Sequence, residues 1–237
     1  MLGAVFPRPA DPAFVRETMG AFRGLVREGK DGPHSDGVGL VAAPKGRVEY
    51  VLRSPHAADD ARSQFDAAVD KLAAARHTGP VLAHLRAASA GKVRLENTHP
   101  FVRDGWAFCH NGTVEGDLTA PPGMMCRGDT DSERLFLHVL ARLRTGEPPQ
   151  HAIFQGARSF VVGRTYSSTT LLMTDGKSLY AYRDATREPE YYSLFSAKGP
   201  GGSVFVTQEP LPGLTDLREV PNRGIAVVGP TGTVSVA

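Results

Sequence analysis

Three segments decide the reading: Asn97-Thr98-His99-Pro100-Phe101, Phe108-Cys109-His110-Asn111-Gly112-Thr113 and Gly128-Asp129-Thr130-Asp131-Ser132-Glu133. Between the first two, Phe101-Val102 and Trp106-Ala107-Phe108 flank Asp104-Gly105, a dipeptide that tolerates the positive φ of a tight hairpin. Asn111-Gly112 is a turn dipeptide at the end of an apolar run. Thr130-x-x-Glu133 has the form of a capping box, so a helix should start there. Leu135, Phe136, Val139, Leu140 and Leu143 then share one helical face, and Gly146 should close it.

Working outward, Leu2–Phe6 reads as a short strand. Asp11 is placed to cap a helix with Pro12 at its first position, and Val15, Met19, Phe22 and Val26 fall on one face before Gly29. Val38–Ala43 and Val48–Leu52 are strand-like around a turn at Lys45-Gly46. A second amphipathic helix is expected over Ala57–Ala75, with Ala61, Phe65, Val69 and Leu72 inward, followed by a strand at Val81–Arg86. Later come a hairpin of Thr169–Thr174 with Ser178–Tyr182, and strands at Val204–Thr207, Ile225–Val228 and Val234–Val236. Pro189–Gly202 reads as a loop. This mixture of helices and antiparallel hairpins predicts an α+β layered fold.

The chain has 237 residues, with 41% hydrophobic and 22% charged residues, ordinary values for a globular protein. A net charge of +2 and 8% aromatics give no support to nucleic-acid binding. No apolar run approaches the roughly 18 residues that span a membrane, and no signal peptide is evident. Cys109 and Cys126 make neither a disulfide framework nor a CxxC metal site, so a reduced, cytoplasmic location is expected. Neither metal nor cofactor is expected. His84, His99 and His110 invite a metal reading, but their spacings are long and no HExxH or cysteine cluster accompanies them.

With the upstream run His84-Leu85-Arg86-Ala87-Ala88-Ser89, the three opening segments resemble the glutamine-binding half of a class II glutamine amidotransferase. Other pieces follow in the same order: His34-Ser35-Asp36-Gly37-Val38-Gly39, Asp175-Gly176-Lys177-Ser178-Leu179-Tyr180-Ala181, Val206-Thr207-Gln208-Glu209-Pro210-Leu211 and Val220-Pro221-Asn222-Arg223-Gly224. The similarity is to the small stand-alone bacterial and archaeal branch and covers nearly the whole chain. It implies a four-layer αββα sandwich of Ntn-hydrolase type and one glutaminase domain over 1–237.

It also implies roles. Arg86 grips the α-carboxylate of glutamine, for which a guanidinium fork suits better than lysine, and Ser89 touches the same group. Asp131 holds the α-ammonium; read from its position alone, it could equally serve the helix dipole. The amide of Asn111 and the backbone N–H of Gly112 form the oxyanion hole. His99 and His110 are framework residues. The acceptor of ammonia then belongs to a separate synthetase subunit, or the reaction is plain hydrolysis of glutamine or a γ-glutamyl compound.

One element of the resemblance is absent. Such enzymes open Met-Cys-Arg-x-Leu-Gly, and the cysteine, freed of the methionine, is the nucleophile with its own α-amine as base. This chain opens Met1-Leu2-Gly3, which matches the last three positions, so the cysteine would lie two residues before Met1. A thioether has no proton to lose. Either three residues are missing ahead of an active enzyme, the reading the intact pocket favours, or the loss is real and the protein is a glutamine-binding pseudoenzyme or regulatory subunit. Cys109 reads as a small buried hydrophobe. Cys126 sits beside Arg127, which should lower its pKa somewhat.

Overall fold

A computed structural model describes residues 1–28, 34–89 and 91–237. Two antiparallel sheets lie between two pairs of helices. The first sheet runs β11-β9-β10-β1-β4-β2-β3 and the second β13-β12-β8-β7-β6-β5. In the first are β1 (Leu2–Phe6), β2 (Val38–Ala42), β3 (Glu49–Ser54), β4 (Gly79–Leu85), β9 (Phe195–Lys198), β10 (Val204–Thr207) and β11 (Thr215–Glu219). The second holds β5 (Phe101–Arg103), β6 (Trp106–Asn111), β7 (Thr170–Thr174), β8 (Leu179–Tyr182), β12 (Ile225–Val228) and β13 (Val234–Val236).

The period-two alternation of side chains builds the layers. Leu2, Ala4 and Phe6 of β1 face α1 (Pro12–Glu28) and α2 (Arg62–Ala74). Val5, from the opposite face of β1, packs with Val206 against Cys109, Leu172 and Ala181 of the second sheet. Phe108, Leu171 and Met173 point outward to α3 (Asp131–Arg144) and α4 (Pro149–Val161). This is the expected αββα sandwich. Strands sandwiched in this way are buried on both faces, which is why they read as continuous apolar runs.

Several local expectations hold. Asp11 Oδ1 accepts from Phe14 N at 2.9 Å, and Val15, Met19, Phe22 and Val26 are buried. Gly29 lies outside the described residues. Asp104 and Gly105 take φ of 52° and 79°, as the hairpin requires.

Others need correction. The second helix starts at Arg62, because Ala57–Ala61 form a turn in which Ala61 N bonds Ala57 O at 2.9 Å. The capping box is half made. Thr130 Oγ1 accepts from Glu133 N at 3.1 Å, but the Glu133 carboxylate accepts from Arg127 N and Gly128 N at 2.8 and 2.7 Å. It thus ties down the preceding loop instead of returning to the cap. β9 falls inside the expected Pro189–Gly202 loop, paired with β10 and β11. α4 (Pro149–Val161) is an element that the sequence pattern does not announce. Gly156 lowers helix propensity there, yet a Cβ at that position would sit 2.9 Å from Val139 Cγ2. The glycine lets α4 lie close against α3.

Candidate functional site

β1 and β4 of the first sheet, β6 of the second and the start of α3 all end at one cavity of about 240 Å³. Arg86, Ser89, Asn111, Gly112 and Asp131, widely separated in the chain, all line it.

Arg86 directly follows β4 and is only 3% exposed. Its backbone N bonds Gly37 O at 2.8 Å and its carbonyl accepts from Asp36 N at 2.9 Å. The guanidinium donates to the carbonyls of Asp36 and Gly91 at 3.4 and 3.5 Å. Burial pulls its pKa down, while the charges of Asp36, Asp129 and Asp131 push it up. A buried guanidinium at the wall of a cavity is suited to a carboxylate partner. Asp36 was not singled out as a site residue, yet its Oδ2 accepts from Ala88 N at 2.7 Å and fixes the loop bearing Ser89. Its signal was the Asp-Gly-x-Gly piece. Ser89 Oγ lies 2.7 Å from Thr113 Oγ1.

Asp131, the first residue of α3, is 6% exposed. Its Oδ2 accepts from Val114 N at 2.8 Å, and Ser132 Oγ approaches Oδ1 at 3.4 Å. The carboxylate therefore does more than face the helix dipole: it anchors the chain just past Asn111-Gly112. Ser132 Oγ also lies 2.9 Å from His110 Nδ1, and His110 Nε2 lies 3.1 Å from Ser168 O. A carbonyl only accepts, so Nε2 carries the proton. Burial pulls the His110 pKa down, although Asp131 and the Ser168 carbonyl oppose this.

Asn111 ends β6, and its Nδ2 donates to Gln208 Oε1 at 3.2 Å. Gly112 adopts φ +146°, and a Cβ there would lie 2.0 Å from Ser168 O. Only glycine fits this backbone approach. The Met1 amine is buried beside them and donates to the same Gln208 Oε1 at 3.1 Å; desolvation pulls its pKa down. Gln208 is therefore a second residue that the sequence reading did not single out, although it stands in a family-like segment.

His84 and His99 form the cavity floor, with ring centroids 4.5 Å apart. Both are held well below the usual histidine pKa, first by burial and then by a neighbouring histidine, His99 for His84 and His110 for His99. Among the described residues no three His, Cys, Asp or Glu side chains gather as a metal set.

The cysteines do not join the site. Cys109 is fully buried between the sheets, and burial pushes its thiol up to about 12. Cys126 is partly buried, and its pKa is raised by desolvation and by Glu133, against Arg134 and Arg103. The lowering expected from Arg127 does not occur.

The family model for class II glutamine amidotransferases matches residues 1–204. The chain belongs to this family. A relative from Escherichia coli K12, "Putative glutamine amidotransferase YafJ", is 30% identical over 195 residues, covering 77% of this chain and 71% of that protein. A solved structure from Pseudomonas aeruginosa PA01, described as a "predicted glutamine amidotransferase", matches with TM-score 0.63 and 22% identity over 98% of each chain. Glutamine PRPP amidotransferase from B. subtilis, solved with ADP and GMP, matches with TM-score 0.67 and 15% identity. The likeness covers all of this chain but 48% of that one. At these identities the two structural likenesses establish the fold. Among the described residues no helix is long and apolar enough to cross a membrane.

Proposed function

We propose that the cavity binds glutamine or another γ-glutamyl compound and that, given a cysteine two residues ahead of Met1, the protein hydrolyses its γ-amide. The observation that carries this reading is the convergence of Arg86, Asp131, Asn111 and Gly112 on one cavity beside the start of β1. Arg86 and Ser89 take the α-carboxylate and Asp131 the α-ammonium. The γ-carbonyl oxygen then lies between the Asn111 amide and the Gly112 N–H, two donors aimed at the charge that develops there. Two residues added to β1 extend it by roughly 7 Å, at ~3.3 Å per residue, from Met1 at the cavity wall.

The cysteine thiol gives its proton to its own α-amine and attacks the carbonyl carbon of the γ-amide. The C–N bond breaks, the amine returns the proton, and ammonia or a larger amine departs. Water then hydrolyses the thioester to glutamate. The ammonia acceptor belongs to a separate synthetase subunit, or hydrolysis is the whole reaction. A reducing, cytoplasmic setting suits a thiol nucleophile.

Calorimetry with glutamine should detect binding that the double variant Arg86→Ala/Asp131→Ala abolishes; unchanged binding in that variant would sink the assignment. The chain with Met-Cys-Arg placed ahead of Met1 should release ammonia from glutamine. Binding without release would leave the alternative of a non-catalytic glutamine-binding subunit.

A further inference from the structure

Gln208 follows directly after β10, whose partner β1 pairs Leu2 with Thr207. It is 7% exposed and joins the ends of two sheets. One oxygen, Oε1, receives the Met1 nitrogen of β1 at 3.1 Å and the Asn111 Nδ2 of β6 at 3.2 Å. The order of constraint follows from donor and acceptor chemistry. As an ammonium, the form that makes this bond, or as a peptide N–H in a longer chain, the Met1 nitrogen has no lone pair to offer and donates. It therefore turns the Gln208 carbonyl, not its NH₂, towards the strand end. With that oxygen fixed, Asn111 must present Nδ2, because its own Oδ1 would meet another lone pair. The second N–H of Nδ2 lies in the amide plane about 120° from the first, and the first is spent on Gln208.

From this geometry we infer that Gln208 is a positioning residue that sets the flip of the Asn111 amide, so that an N–H and not a carbonyl oxygen serves the oxyanion hole. The inference deepens the glutamine reading and rests on it for its consequence in turnover, but the orientation itself can be measured without activity. An Asn111 turned the other way would place a lone pair against the developing oxyanion. Gln208 thus links the strand expected to carry the nucleophile to the amide that stabilises its product.

The test compares Gln208→Met, similar in length but without a strong acceptor, with Gln208→Glu, which keeps one. Gln208→Leu stands in for the methionine variant if that fails to fold. The Asn111 side-chain NH₂ resonances, assigned by their loss in Asn111→Asp, are followed in ¹H–¹⁵N spectra of the chain beginning at Met1. Gln208→Met should move the bonded proton upfield to the position of a solvent-exposed amide, while Gln208→Glu should leave it downfield. An Asn111 resonance unchanged in Gln208→Met overturns the inference. In the chain carrying Met-Cys-Arg ahead of Met1, Gln208→Met should lower kcat roughly tenfold with KM unchanged, short of the ~10²–10³ for deleting a donor outright. A rise in KM at constant kcat also overturns it. If that chain neither binds nor hydrolyses glutamine, the functional reading fails separately, and the resonance shift still judges Gln208.

Discussion

The two ends of the cavity are built from different chemistry. At one end Arg86 and Asp131 are ions buried to 3% and 6% exposure and tied to backbone groups of nearby loops. At the other, Asn111, Gly112 and Gln208 are neutral, and their arrangement depends on amide orientation and on backbone clearance. The ionic end can tolerate small displacements, because Coulomb attraction falls off slowly with distance. The neutral end cannot, because a hydrogen bond to a developing oxyanion weakens steeply with distance and angle. Substitutions that shift atoms by an ångström should therefore harm the neutral end far more.

Gly112→Ala should show the largest effect. The added Cβ would meet Ser168 O at 2.0 Å, and φ of +146° is closed to alanine, so the turn must move. Strain at the φ and overpacking together should cost roughly 3 kcal/mol of stability. In the cysteine-bearing chain, kcat should fall by about 10²-fold or more. Glutamine binding, held mainly by the ionic end, should weaken far less than turnover does. Urea denaturation, calorimetry and ammonia release read the three quantities, and equal losses in binding and turnover would erase the distinction between the ends.

How much of this was legible in the sequence depended on the kind of signal. The Asp104-Gly105 hairpin, the Asp11 cap and the Thr130 cap were readable because single residues carry the local geometry. α4 was not, because Gly156 argues against a helix until Val139 of α3 is known to need the space. β9 was hidden in Phe195-Ser196-Ala197-Lys198, which has no β-branched residue and owes its extension to partners on both sides. Arg86, Ser89, Asn111, Gly112 and Asp131, which share one cavity, were singled out only through resemblance, since the chemistry of each alone fits a bland surface or turn. Asp36 and Gln208 act through other residues, and such roles appear only when the partners are in place.

Between the two ends, the His84–His99 floor sharpens the comparison by pH. His84 faces His99, His34 and the Met1 amine; His99 faces His110, Arg86, Arg53 and the Met1 amine. Burial and these neighbours hold both pKa values well below normal, so both rings resist protonation at pH values where an exposed histidine takes up a proton. The unfolded chain binds protons that the folded one refuses. The stabilisation is complete above the unfolded histidine pKa of about 6.5 and is lost as pH falls below it, at about 1.4 kcal/mol per pH unit for each ring. His99→Phe should remove one ring's share of that slope in urea denaturation between pH 5 and 7. A slope identical to wild type would mean that His99 titrates normally.

The smallest effect belongs to the support of the ionic end. Thr130 Oγ1 accepts from Glu133 N at 3.1 Å and fixes the first turn of α3, from which Asp131 projects. Thr130→Ala should cost about 1 kcal/mol, and Thr130→Ser should recover most of it. Glutamine affinity should change by less than the stability does, because Asp131 keeps its second anchor at Val114 N, 2.8 Å from Oδ2. Calorimetry on Thr130→Ala decides this. If binding collapses while the fold loses only ~1 kcal/mol, the ionic end is as intolerant of displacement as the neutral one, and the tolerance attributed to it rests on the wrong force.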